Sequence, residues 1–163
     1  TMTYPTGTPV QERALQNLQT ALEAIAGSPS FYTTLAPAGV HRNKGDNVLD
    51  LKQYPAILIM EGEVSKDENS AWPMVECVLP VVLRCALARR DGVETELRKF
   101  SADVAQAVRA NYRLADSGGD VVLVAAVTGE QAYQSDGVSP IGAVDVVLSI
   151  RYRYLYDDPN TPI

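Results

Sequence analysis

Histidine is almost missing from this chain: His41 is the only one in 163 residues. That scarcity removes most routes to acid–base catalysis at neutral pH, because a Ser-His-Asp or Cys-His scheme would have to be built on this one side chain. His41 stands near Arg42 and Lys44 with nothing around it that marks a base or a ligand, so a solvated loop residue is the plain reading. Cysteine is nearly as scarce, with Cys77 and Cys85 alone. In one extended segment these two stand more than about 20 Å apart, too far for a disulfide and outside any metal-ligand spacing. They share the odd positions with Val75, Leu79, Val81, Leu83 and Leu87, which points to buried thiols in a reducing compartment. Neither has a helix start, or a basic side chain on its own face of the strand, predicted beside it to lower its pKa.

Other absences narrow the field further. No uncharged apolar segment reaches the roughly 18 residues a membrane span needs. Thr1 to Thr8 lacks the basic residues and apolar run of a signal peptide, so the cytoplasm is the expected place of synthesis. Gly118-Gly119 leads into a strand, whereas a phosphate cradle needs a helix start at that point. Metal motifs are lacking, and no cofactor is expected. Positive charge is in deficit, with 14 Lys and Arg against 20 Asp and Glu and a net charge of −6. Sequence-independent nucleic-acid binding, which rests on cations neutralising phosphates, is therefore disfavoured.

What is present describes a globular protein. Apolar residues make up 46% and charged residues 21%, near the averages for folded domains. A chain of this length buries about 70% of its unfolded surface and can hold a core unaided. Without repeats, low-complexity tracts or a composition break, residues 1–163 read as one domain, with a loose arm over about 1–8 and a tail over about 157–163.

The last long apolar run, Val144 to Tyr156, organises the reading. Its even positions are apolar or aromatic and its odd positions carry most of the charge, the period of a strand with one buried face. At about 3.3 Å per residue it reaches roughly 40 Å, long enough to run beyond the body of a small domain. Upstream, Thr8-Pro9-Val10-Gln11 predicts a helix start through a capping box, and Leu15, Leu18, Leu22 and Ile25 form its stripe until Gly27 and Pro29. Phe31 to Val40 is extended and mixed, and Arg42 to Asp50 is a polar loop. Pro55 to Glu61 is an interior strand, apolar on both faces. Glu61 to Pro73 is a long acidic connection with no visible period. Met74 to Ala88 is a second long strand, with Pro80 forcing an edge or a bulge. A helix from about Val93 to Ala110 follows, with Leu97, Phe100, Val104, Ala107 and Val108 as its stripe. Tyr112 to Asp120 is a loop, Val121 to Val127 a strand and Thr128 to Ser139 polar. The expected fold is α+β: a mostly antiparallel sheet of four to five strands with two helices packed on one face.

Candidate contact residues follow from charge and aromatic placement. Glu61, Glu63, Asp67 and Glu68 cluster in the acidic connection, at spacings that match no calcium loop, so solvation competes with a contact role. Trp72, the only tryptophan, either pins that loop or anchors a subunit interface. Arg84, Arg151 and Arg153 interrupt the long strands, facing solvent or meeting acidic loops of a neighbouring copy. At the outer end of the last strand, arginines mixed with tyrosines suit a protein–protein contact.

An opening helix ending Ala24-Ile25-Ala26-Gly27 is followed by Tyr32-Thr33-Thr34. Then Tyr54-Pro55-Ala56-Ile57 enters a strand that leaves at Glu61-Gly62-Glu63, with a charged loop and, after the third strand, a helix. Pro140-Ile141-Gly142 leads to the long strand ending Arg151-Tyr152-Arg153-Tyr154. In that order, over nearly the whole chain, the sequence resembles the tail terminator (tail completion, or minor tail) proteins of long-tailed bacteriophages. The resemblance implies a virion protein without enzymatic activity, made in the host cytoplasm and placed at the head–tail interface. It implies a homo-oligomer, a hexameric ring on the tail tube that stops polymerisation of the tube protein and meets the head-completion or connector protein. DNA would pass through such a ring without specific binding, and a negative lumen would repel it. The alternatives are a head-completion or neck connector, a tube subunit, or a small-ligand-binding or enzymatic α+β domain that uses Cys77, His41 or the acidic loop.

Overall fold

Two strands of 15 residues each organise the computed structural model, which describes residues 7–42, 51–69, 71–89, 91–133 and 141–163. In chain order the elements are α1 (Val10–Glu23), β1 (Val40–Arg42), β2 (Ala56–Glu61), β3 (Ser65–Asp67), β4 (Met74–Ala88), α2 (Val93–Ala110), β5 (Val124–Tyr133), β6 (Ile141–Leu155) and β7 (Asp158–Pro162). Strands β4 and β6 run antiparallel in unbroken register from Met74↔Leu155 to Ala88↔Ile141. That ladder is roughly 50 Å long. Across the sheet the order is β1-β2-β4-β6-β5, with β3 also on β4 and β7 also on β6.

The expected two-layer arrangement, four to five antiparallel strands with both helices on one face, does not form. Among the described residues the sheet has seven strands, is mixed, and curls strongly into a half-barrel. Its mixed character comes from β1, which pairs parallel to β2 through Val40↔Ile57 and Arg42↔Ile59 and is too short to show a period in sequence. Two more strands come from segments that read as unstructured: β3 from the acidic connection and β7 from the expected tail. The final strands also shift, β5 running on to Tyr133 and β6 starting at Ile141. Part of the expected polar loop after Arg42, and residues 134–140 of the polar segment before β6, lie outside the described residues.

The curl has local causes. Register slips occur between Val127 and Gly129 in β5, and between Tyr154 and Leu155 where β6 meets β7. Each such irregularity bends its strand and adds right-handed twist, which a long ladder then accumulates. A third break sits at Pro80. Its carbonyl accepts the Gly62 N–H at 2.8 Å, so the side that lacks a donor faces β2 and β3. Strand β2 pairs as far as Glu61↔Val81, and β3 resumes at Ser65↔Val78, one residue out of step. A Cβ at Gly62 would lie 2.7 Å from Pro80 Cγ, so the close crossing needs glycine. In effect β2 and β3 follow one another along the same side of β4, interrupted by a proline on that neighbour.

The main core lies in the hollow of the half-barrel. Leu15, Leu18 and Leu22 of α1 and Phe100, Val104 and Val108 of α2 meet Val75 to Leu87 of β4 and Val146, Leu148, Ile150 and Tyr152 of β6. Burying each such side chain contributes about 1.5–3 kcal/mol. The α1 stripe is the one read from sequence, but its start differs: Pro9 is the N-cap and no side-chain cap bond forms. Gln11, expected to complete a capping box, instead accepts the Tyr152 hydroxyl at 3.1 Å. On the outer face, Leu58, Ala86 and Ala143 form a small second cluster under Leu51, Tyr54 and Ile141.

Candidate interaction surface

The β4–β6 ladder continues past the reach of β5, whose pairing with β6 stops at Val124↔Arg151. Beyond that point β7 takes the place of β5 beside β6, through Tyr154↔Pro162 and Leu155↔Asp158, and the exposed end of the ladder begins at Leu155. The Tyr156 N–H donates to the Pro73 carbonyl at 2.8 Å and brings the Tyr156 ring against Trp72, centroids 4.7 Å apart at 47°. Trp72 is 61% exposed, Tyr156 54% and Leu155 42%. On the outer face beside them, Arg153 is half-buried, its Nη1 reaches Met74 Sδ at 3.8 Å, and its Nε is buried without a partner. No carboxylate among the described residues forms an ion pair with it.

The other two strand arginines are used within the chain. Arg84 and Asp145 face each other across the ladder, Nε and Nη2 meeting the two carboxylate oxygens at 2.8 and 2.9 Å with both side chains 13% exposed. Arg151 reaches Glu76 at 2.8 Å from a more open position. The candidate arginines thus separate into an internal lock, a surface pair and a half-buried cation without an ion pair among the described residues.

The acidic candidates are strung along an edge rather than gathered. Glu61 contacts Arg42 at 3.3 Å, while the same guanidinium holds both oxygens of Glu12 at 2.8 and 2.9 Å. That bond from Arg42 holds the Glu12 carboxyl below the usual carboxylate range. Glu63 and Glu68 are exposed on either side of β3, and Asp67 accepts the Asn69 N–H at 3.1 Å. Among the described residues no group of three or more His, Cys, Asp or Glu could hold a metal ion. His41 lies on β1, half-buried, in register with Leu58. Both cysteines are buried and free, and burial pushes their thiols up, away from the reactive thiolate.

Several organising residues escaped the sequence reading. Asp103, 1% exposed on α2, accepts the backbone N–H groups of Tyr32 at 3.1 Å and Thr33 at 2.7 Å, and so fixes the segment after α1 to the second helix. Its signal was an acid within the apolar stripe, three residues after Phe100. Asp116 takes Arg13 Nη2 on both oxygens at 2.9 and 3.0 Å, with Asn17 at 3.1 Å and the Gly118 N–H at 2.8 Å. Those partners, Arg13 first, lower its pKa to about 2. A groove of about 440 Å³ runs between α2 and β5, with Leu97 and Val144 apolar within it and Glu94, Arg98 and Glu130 around it. Nothing in a linear pattern joins those five positions.

The class defined here is a half-barrel with two helices in its hollow and one aromatic, arginine-bearing end. No protein-family model matches the chain, and no characterised protein matches its sequence at a significant level.

Proposed function

We propose that this chain is a structural protein of a long-tailed phage virion, a tail terminator that closes the tail tube as a hexameric ring. In that role it halts tube polymerisation and offers the surface on which the filled head docks, with no catalytic step of its own. The observation that carries the reading is the end of the β4–β6 ladder, where Trp72, Tyr156 and Leu155 stand exposed beside Arg153. Tryptophan, tyrosine and arginine dominate interface hot spots because each buries a large area while keeping a polar handle. Gathered at one end of a strand pair, they favour an assembly surface over a solvated one. The resemblance of the sequence to the terminator family, in the order of its motifs, points the same way. Its partners are further copies of the chain, the tube protein and a head-completion or connector protein. The genome passes through the ring, and the net charge of −6 suits a passage that does not retain phosphate.

A tube subunit and a neck connector draw on the same surface chemistry, and closure separates them: a tube subunit polymerises open-endedly, whereas a terminator forms a finished ring. The test polymerises tube protein with and without this chain and follows tube length by electron microscopy. Capped tubes of limited length with rings at one end are the expected result. Tubes that lengthen unchanged, with bare ends, overturn the terminator reading. Open polymers of the chain itself mark a tube subunit, and rings that bind only heads mark a connector.

A further inference from the structure

We propose that the Trp72–Tyr156 end of one copy docks in the groove between α2 and β5 of the next, a head-to-tail contact of this chain with itself. The two surfaces match in kind. The groove offers Leu97 and Val144 as apolar floor, with Glu94 and Glu130 on its rim, and Arg98 as its cation. Glu94, Arg98 and Glu130 are exposed and form no ion pair among the described residues. The projecting end offers two aromatic rings and Leu155, the half-buried Arg153 with no ion pair among the described residues, and the exposed carboxylate of Asp157 directly after Tyr156. Seating the rings on the apolar floor brings a cation to a rim with two acids, and an acid to a rim with one cation.

No copy can fill its own groove. Val144 lines the groove and Tyr156 lies just past the far end of the same strand, roughly 40 Å away along β6. The contact therefore joins two different patches on two chains, the heterologous kind that closes into a ring when the rotation per subunit divides the circle. The buried rings supply adhesion, and the rim charges set register and exclude wrong partners. The surface match stands alone. Only its closure into a hexamer rests on the terminator reading.

Charge reversal across the contact is the test, read by light scattering over a concentration series, with circular dichroism on each variant. Arg153→Glu alone faces Glu94 and Glu130, and Glu130→Arg alone faces Arg153. Each is expected to raise the concentration for half-association about tenfold or more. An equimolar mixture of the two returns it to within about twofold of wild type, because every junction then joins opposite charges. Trp72→Ala mixed with Arg153→Glu gives no such recovery, since both carry a damaged projecting end. The exposed pair Asp157→Arg and Arg98→Glu repeats the design should Arg153→Glu fail to fold. A wild-type chain that stays monomeric throughout overturns the contact, as do single reversals that associate like wild type and folded reversals that do not rescue one another. Tube capping separates the two readings. Capping that survives Arg153→Glu removes this contact and leaves the terminator, and rescue in the mixture without capping does the reverse.

Discussion

At the scale of single residues, the carboxylate of Asp103 shows how a buried charge is kept. It accepts two backbone N–H groups from residues 32 and 33 and would otherwise face the apolar stripe of its own helix. Asp103→Ala leaves both amides without that acceptor and is expected to lower the unfolding free energy by on the order of 2 kcal/mol, measured by urea denaturation. A loss below about 0.5 kcal/mol would show that water replaces the carboxylate at little cost. Asp116 makes a prediction about pH. Its folded pKa, near 2 against an ordinary 3.8, is depressed by Arg13 and Asn17. The stability it contributes is thus fully present above its unfolded pKa, and is lost as pH falls from about 4 towards 2. In urea midpoints taken across that window, wild type is expected to fall more steeply than Asp116→Asn, and parallel curves would remove Asp116 from the account. Arg84 is an interface candidate on sequence grounds, yet its guanidinium closes on Asp145 across the ladder. Arg84→Ala therefore leaves a mostly buried carboxylate with less compensation. Its loss of stability is expected to be largely recovered in Arg84→Met with Asp145→Leu, because swapping both partners for apolar groups leaves neither charge stranded.

At the scale of elements, what could be read from sequence was whatever repeats with a period. The stripe of α1, the stripe of α2 and the alternation along β4 and β6 extend over several turns or pleats, and each element formed close to where its pattern lies. Short strands carry no such signal. Three residues of β1, three of β3 and five of β7 are set by the neighbours they pair with, so the acidic connection and the tail looked structureless. Pro80 was legible as an interruption, but its partner Gly62 was not, since their meeting depends on β2 and β3 lying along the same side of β4. Gly142 is a similar case between helix and strand. A Cβ there would lie 2.6 Å from Val93 Cγ2 and 3.2 Å from Leu97 Cδ1, so the glycine sets how closely the first turn of α2 seats on β6. Gly142→Val is expected to push that turn outward and cost about 1–3 kcal/mol, read as a fall in thermal midpoint. An unchanged midpoint would mean that α2 rides over the strand without strain. Because Leu97 also lines the proposed groove, the same substitution is expected to weaken self-association beyond what the stability loss explains.

At the scale of the whole molecule, the discrepancy between the expected two-layer sheet and the half-barrel arises because curvature is a property of the sum. No single segment announces it; the slips in β5, at Pro80 and at the β6–β7 junction each bend the sheet, and together they wrap it around the helices. The candidate contact residues divide for the same reason. At the ladder end Trp72 packs on Tyr156 and Arg153 reaches Met74, whereas Arg84 sits inside the ladder and Glu61 is turned to Arg42. One property survives from composition to the folded surface: the surplus of carboxylates. In the proposed ring that surplus would be stacked around a passage, and the opposing potential would grow with each added copy, while duplex DNA carries a charge about every 1.7 Å. The assembled protein is therefore expected to leave duplex DNA unretarded in a gel at about 150 mM salt, and to do so irrespective of sequence. Lowering the salt lengthens the reach of repulsion, so a repelling surface remains inert to DNA there, whereas a basic lining would bind more tightly. Retention tighter than about 1 µM at moderate salt, strengthening as salt is withdrawn, would place a cationic lining in the passage and overturn the repelling-lumen account.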